Sequence, residues 1–181
     1  MHISRPLSEP ILLTNRPFLD KAVLDKIKFQ HWPFSVEDLP LGSALVGGAI
    51  RDVLLDRGER NHDLDLVVPD QAVNLTKTFA EELGGTCVVL DRERDIARLV
   101  INKWIIDFSS RLGKSLEDDL WARDFRINAI ALTLDENPKI IDPTDGIQDL
   151  KYKTISAIKE QNLIDDPLRL LRGLRLISEI K

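Results

Sequence analysis

The stretch at residues 45–68, LVGGAIRDVLLDRGERNHDLDLVV, constrains the fold of this 181-residue chain more than any other. A short apolar strand at 44–46 runs into the pair Gly47-Gly48, and a helix is expected over about 49–56. A loop then leads to a second strand that opens with Asp63 and Asp65. Side chains two apart on a strand share a face, so these carboxylates stand side by side while Leu64 and Leu66 point to a core. Carboxylates this close repel each other unless a cation lies between them. A hard, oxygen-seeking ion such as Mg²⁺ is the natural occupant. A glycine turn ahead of a helix leaves backbone N–H groups to meet an anion, aided by the helix dipole. A phosphate cradle beside a metal-binding carboxylate pair implies phosphoryl or nucleotidyl transfer. Alone, a glycine pair is a tight turn and D-x-D a solvated strand end; the two together at this spacing carry the inference.

Prolines at 6, 10, 17, 33 and 40 break the first forty residues, leaving helical spacing over 18–29. This segment is read as an extension that packs on the main domain, anchored by Trp32 and Phe34. An amphipathic helix follows at 71–83, ended by Gly84-Gly85. Three strand-like runs at 86–90, 96–101 and 104–109 are separated by short turns, which predicts hairpins. In the third run Asp107 interrupts apolar residues, and a charge in a sheet needs a reason. Ser115 and Asp118 have the spacing of a capping box for a helix reaching Trp121. Residues 140–150 read as a turn and 153–158 as a short strand. The last element, 165–180, reads as one helix with Asp166 at its N-cap side and Pro167 in its first turn. Leu168, Leu171, Leu174 and Ile177 share one face, and Arg169, Arg172 and Arg175 recur on another. By itself such an arginine stripe is a solvated face.

A single cysteine, Cys87, excludes an internal disulfide and suits a reducing compartment, so a cytoplasmic protein is expected. Cys87 opens the apolar run CVVL and is expected to be a buried, inert thiol. No apolar run approaches the roughly 20 residues that span a membrane, and the N-terminus lacks signal-peptide form; no membrane partner is expected. The net charge of −5 does not favour an RNA-binding surface. However, residues 151–181 carry seven Lys/Arg against four Asp/Glu.

Four motifs in order over 41–180 resemble class II tRNA nucleotidyltransferases and bacterial poly(A) polymerases, of the polymerase-beta-like superfamily. The first is the LVGG…D-x-D stretch, with Asp56 where the family usually has Gly. The second, RDFRINA at 123–129, is similar to RRDFTINA, with Ala122 and Arg126 departing. The third, IDPTDGIQDL, is similar to DP-x-GG-x-x-DL, with Asp145 for the first Gly. The fourth, DDPLRLLRGLRL, is similar to ED-x-x-R-x-x-R-x-x-RF, with Asp165 for Glu and Leu176 for the aromatic.

The resemblance implies an α+β fold. A nucleotidyltransferase head domain (41–160), a mixed sheet flanked by helices, follows an N-terminal extension (1–40) and precedes the start of a truncated helical neck (161–181). The expected chemistry is transfer of CMP or AMP from CTP or ATP to an RNA 3′ hydroxyl, on tRNA, with release of pyrophosphate. Two Mg²⁺ ions are expected on Asp63, Asp65 and Asp107, and no cofactor beyond metal. Gly47, Gly48 and Arg51 would meet the triphosphate, and Asp52 would fix the turn. Arg123, Asp124 and Asn128 would contact ribose and phosphates, and Arg172 and Arg175 would complete the nucleotide site. Asp166 and Arg169 would act as an amino-acid template for the base.

That template has a direct chemical rationale. Asp166 only accepts hydrogen bonds and Arg169 only donates them. Cytosine and adenine both present an amine donor beside a ring-nitrogen acceptor; uracil and guanine present the reverse. In the family this sequence resembles, a longer flexible loop after the third carboxylate helps the site switch from C to A; the nine residues 108–116 are short for such a loop, so the resemblance favours addition of CC over CCA. A poly(A) polymerase, or a non-catalytic nucleotide- or RNA-binding module, are the alternatives.

Overall fold

Alternating burial along the apolar runs builds one sheet. The computed structural model describes residues 16–57 and 62–180; the first fifteen residues of the expected extension with two of its prolines, the loop tip 58–61 and Lys181 lie outside them. The strands are β1 (Ala44–Val46), β2 (Asp63–Val68), β3 (Thr86–Asp91), β4 (Ile96–Ile101), β5 (Trp104–Ser110), β6 (Ala131–Thr133) and β7 (Ile140–Ile141). The helices are α1 (Arg16–Lys26), α2 (Gly48–Leu54), α3 (Ala72–Leu83), α4 (Leu116–Trp121), α5 (Gly146–Tyr152), α6 (Glu160–Asp165) and α7 (Leu168–Glu179). Strand order is β3-β4-β5-β2-β1-β6-β7, with β2 and β5 parallel and the other neighbours antiparallel. This is the mixed, helix-flanked α+β sheet that the sequence predicted.

In β2, Leu64 and Leu66 are buried and Asp63 and Asp65 face out; in β5, Trp104, Ile106 and Phe108 are buried around Asp107. The main core holds these apolar side chains with those of α2 and α3. A smaller cluster, Val46, Val67 and Ala131 with Leu116 and Leu120 of α4, forms separately. The two-residue turn Asn102-Lys103, with Asn102 at φ 52°, sets Ile101 opposite Trp104 and so Arg98 opposite Asp107. The extension is anchored as expected: Trp32 meets Phe34 edge-on at 5.8 Å, and Phe34 stacks on Phe79 of α3 at 4.8 Å. Cys87 is half-buried rather than buried, packed against the core. Among the described residues no helix is long and apolar enough to cross a membrane.

Three expectations are corrected. α2 stops at Leu54, and Asp56 beyond it takes φ 62°, the left-handed region that glycine enters at least cost. Residues 153–158 form no strand, only a single bridge between Phe125 and Ala157. Their N–H groups turn back on α5 instead: Thr154 donates to the Asp149 carbonyl (2.8 Å) and Ser156 to the Asp149 carboxylate (3.1 Å). The turn expected at 140–150 contains β7 and α5, because the Asp142 carboxylate accepts from the N–H groups of Gly146 (2.8 Å) and Ile147 (2.9 Å) and starts a helix. The helix expected over 165–180 forms as α7, starting at Leu168 after Pro167, and the separate short helix α6 precedes it.

α7 docks through Gly173, Leu176 and Ile180. The apolar stripe seen in its periodicity faces outward: Leu168, Leu171, Leu174 and Ile177 are 54–71% exposed. A β-carbon at Gly173 would lie 2.7 Å from Cζ of the buried Phe125. Alanine normally favours a helix over glycine by about 1 kcal/mol. Here we expect the sign to reverse, with Gly173→Ala losing about 1–2 kcal/mol through overpacking. A urea midpoint at or above the wild-type value refutes this.

Candidate active site

Parallel pairing of β2 with β5 brings together carboxylates far apart in the chain. Asp65 lies directly opposite Asp107, and Asp63 opposite Ile105. From the next strand, Arg98 grips both oxygens of Asp107, Nε to Oδ1 at 2.7 Å and Nη2 to Oδ2 at 2.9 Å. Burial at the cavity floor pushes the Asp65 carboxyl above its ordinary pKa. Arg123 opposes that shift, Asp107 adds to it, and Arg172 and the Gly48 N–H draw it back.

Gly47 sits at φ 71°, and a β-carbon there would lie 2.9 Å from Oδ2 of Asp65. Glycine is required by the carboxylate as well as by the turn. Of the two N–H groups expected in the cradle, that of Gly47 donates to the Ile130 carbonyl (3.3 Å). Arg51 is buried and ties three elements together. It donates to Asn128 Oδ1 at 2.8 Å and pairs with Asp52 at 3.0 Å and Glu179 of α7 at 3.3 Å. Asp52 therefore holds Arg51.

Around this floor stand the arginines. Arg123 pairs with the buried Asp119 (3.0 Å), which also accepts the Leu112 N–H (3.0 Å). The buried Asp124 accepts from Arg172 Nη1 (2.6 Å) and from the Phe125 N–H (2.8 Å). Arg169 Nη1 donates to the carbonyls of Ala122 (3.0 Å) and Asn162 (3.1 Å), and its Nε lies 3.5 Å from Asp166. Arg175 pairs with Glu179 at 3.0 Å.

Every predicted site residue except Asp63 and Asp166 lines one cavity of about 560 Å³. Asp63 lines an adjoining cavity of about 790 Å³, which Asp65, Asp107 and Arg98 also border. Asp166 does not itself line the cavity, as Asp165 does, but lies 3.5 Å from Arg169, which does.

The sequence reading missed Arg98, Asp119, Asn162 and Glu179. Three of them carried a signal: the two-residue hairpin fixes the register of Arg98 opposite Asp107, and Asp119 and Glu179 stand four residues from Arg123 and Arg175. Asn162 acts through tertiary contacts, its Nδ2 donating to the carbonyls of Trp121 (3.0 Å) and Arg123 (2.6 Å). Among the described residues no three acidic, histidine or cysteine side chains are gathered around one point as they stand, and Arg98 occupies Asp107. The donor chemistry nevertheless fits a hard divalent cation: carboxylate oxygens in adjacent register, one disfavoured as an anion by burial and by its neighbour. A floor of carboxylates under a rim of guanidinium groups can take a polyanion whose charge a metal shares.

The family model of the poly(A) polymerase head domain matches residues 43–156. The chain belongs to the poly(A) polymerase head-domain family. This head domain is 43% identical over 152 residues to the CC-adding tRNA nucleotidyltransferase of Synechocystis sp., covering 84% of this chain and 36% of that one. It is likewise 43% identical over 141 residues to the A-adding tRNA nucleotidyltransferase of Deinococcus radiodurans, covering 78% and 31%. Among solved structures it matches the Thermotoga maritima CCA-adding enzyme complexed with tRNA, with a TM-score of 0.65 and 30% identity over 97% of this chain and 41% of that one. The chain spans about a third of the length of these two curated relatives.

Proposed function

We propose that this chain carries the catalytic head of a template-independent RNA nucleotidyltransferase that adds C, A or both from CTP and ATP to the 3′ end of tRNA in the cytoplasm. The observation that carries the reading is Asp65 opposite Asp107 at the floor of an arginine-rimmed cavity. Family membership and the names of the relatives support it. Residues 41–160 form the head, 161–181 begin the neck, and 1–40 are an extension.

In the reaction, the RNA 3′ oxygen attacks the α-phosphorus of the incoming nucleotide, a P–O bond forms, and pyrophosphate leaves. Two Mg²⁺ ions, held by Asp63, Asp65 and Asp107, would supply activation of the hydroxyl and neutralisation of the leaving group. Arg123, Arg172 and Arg175 offer the triphosphate charge-assisted hydrogen bonds. Arg51 and Asn128, bonded to each other, orient the sugar and phosphates. Gly47 and Gly48 keep the approach to the carboxylates narrow and free of side chains. Asp124 sets the plane of Arg172, and Asp166 with Arg169 reads the base.

We further propose that the product is CC. The segment between β5 and α4 is pinned: the N–H groups of Lys114 (2.9 Å) and Ser115 (3.0 Å) donate to Asp118. Gly113 is packed, and a β-carbon there would lie 2.5 Å from that of Asp118. Such a segment cannot swing across the cavity. The test supplies the full chain with CTP, ATP and a tRNA lacking its 3′ CCA. Accumulation at two added cytidines is expected. Completion to CCA or a single added A overturns the CC assignment; a long A tail favours a poly(A) polymerase; no incorporation favours a binding module.

A further inference from the structure

Arg98 has no part in the reaction as described, yet it makes the best-formed ion pair of the site. Its fork closes on Asp107 with two bonds of 2.7 and 2.9 Å. Asp63 and Asp65 also act on its charge. A guanidinium has five donors and no acceptor, and cannot lose its charge. It therefore supplies to the third carboxylate what a metal ion would supply. Arg98 and Asp107 both border the second cavity, and the Arg98 side chain is 40% exposed. The pair is only partly buried, so a cation arriving through the cavity can reach Asp107, and the cavity gives the displaced side chain somewhere to go.

We propose that Arg98 is an internal competitor for the metal site: it holds Asp107 until a divalent cation takes that carboxylate and displaces the guanidinium. Arg98 is thus a positioning residue that sets metal affinity and keeps like-charged strands compatible before metal arrives. The inference rests on the two-metal reading above.

The experiment titrates the full chain with Mn²⁺, following the free-ion signal by electron paramagnetic resonance, with and without a non-hydrolysable CTP analogue. Arg98→Gln removes charge and fork and should bind Mn²⁺ about three- to tenfold more tightly than wild type. Arg98→Lys keeps the charge without the fork and should fall between. Without metal, Arg98→Gln should melt below wild type, and saturating Mn²⁺ should raise its Tm by more than it raises the wild-type Tm. Equal or weaker Mn²⁺ binding by Arg98→Gln overturns the inference and leaves Arg98 a structural brace. Asp65→Ala is the control for the underlying reading. If it binds Mn²⁺ like wild type, or if no variant binds at all, the metal assignment itself fails.

Discussion

Replacing Asp65 with alanine should lower nucleotide addition by at least about a thousandfold, the scale of several kcal/mol that a metal-held transition state supplies. Asp63→Ala should do the same. Neither change opens the core, because both side chains face away from Leu64 and Leu66. For Asp65 the fold should even gain. Burial and Asp107 raise its carboxyl pKa above the unfolded value. The stability this group contributes is present below the unfolded pKa and lost as pH rises through the folded one. At neutral pH, without metal, Asp65→Ala should therefore unfold at a higher urea concentration than wild type. The gain should vanish at acid pH, where both forms are neutral. Incorporation at the wild-type rate by either variant removes the two-metal reading; a metal-free midpoint below wild type at neutral pH removes the account of strain at the site.

The second large effect concerns base choice. Asp166→Ala should erode the preference for CTP and ATP over UTP and GTP by about 10- to 100-fold in kcat/KM, the scale of one lost buried hydrogen-bonded contact. Arg169 is already set for such a role, its Nη1 fixed by the carbonyls of Ala122 and Asn162. Asp166 also accepts the Leu168 N–H at 3.2 Å, as a helix cap would. A cap alone would explain its presence, so Asp166→Ser is the informative variant: serine caps well but is too short to reach a base. Lost selectivity with normal stability in Asp166→Ser supports the template. Unchanged nucleotide ratios in both variants place base choice elsewhere.

The local features of the site were legible because they are set by neighbours in the chain. The strand–glycine–helix–D-x-D order, the two hairpins and the capping box at Ser115 each follow from a few consecutive residues. What stayed hidden depends on partners distant in sequence. The periodicity of α7 revealed an apolar stripe, but not that Gly173 and Leu176, off that stripe, make the contact with the head. Asp124 reads as a free acceptor until Arg172 is seen closing on it. Asp145 hides a helix start, because its left-handed φ of 61° is a tertiary outcome: the Arg126 carbonyl presses so close that only glycine fits at position 146. Arg98 is the instructive omission, since the hairpin arithmetic that places it was available throughout.

The parallel β2–β5 pair also predicts an order of assembly. Strands β3, β4 and β5 are joined by short turns and can zip as a local meander, so Arg98 and Asp107 meet early. β2 joins β5 only after a crossover containing α3 and two strands has closed, a slower, non-local event. That docking step carries Asp65 toward a second carboxylate. By then Arg98 already offsets the charge of Asp107, so the last pairing in the half-sheet closes onto a neutral strand rather than a negative one.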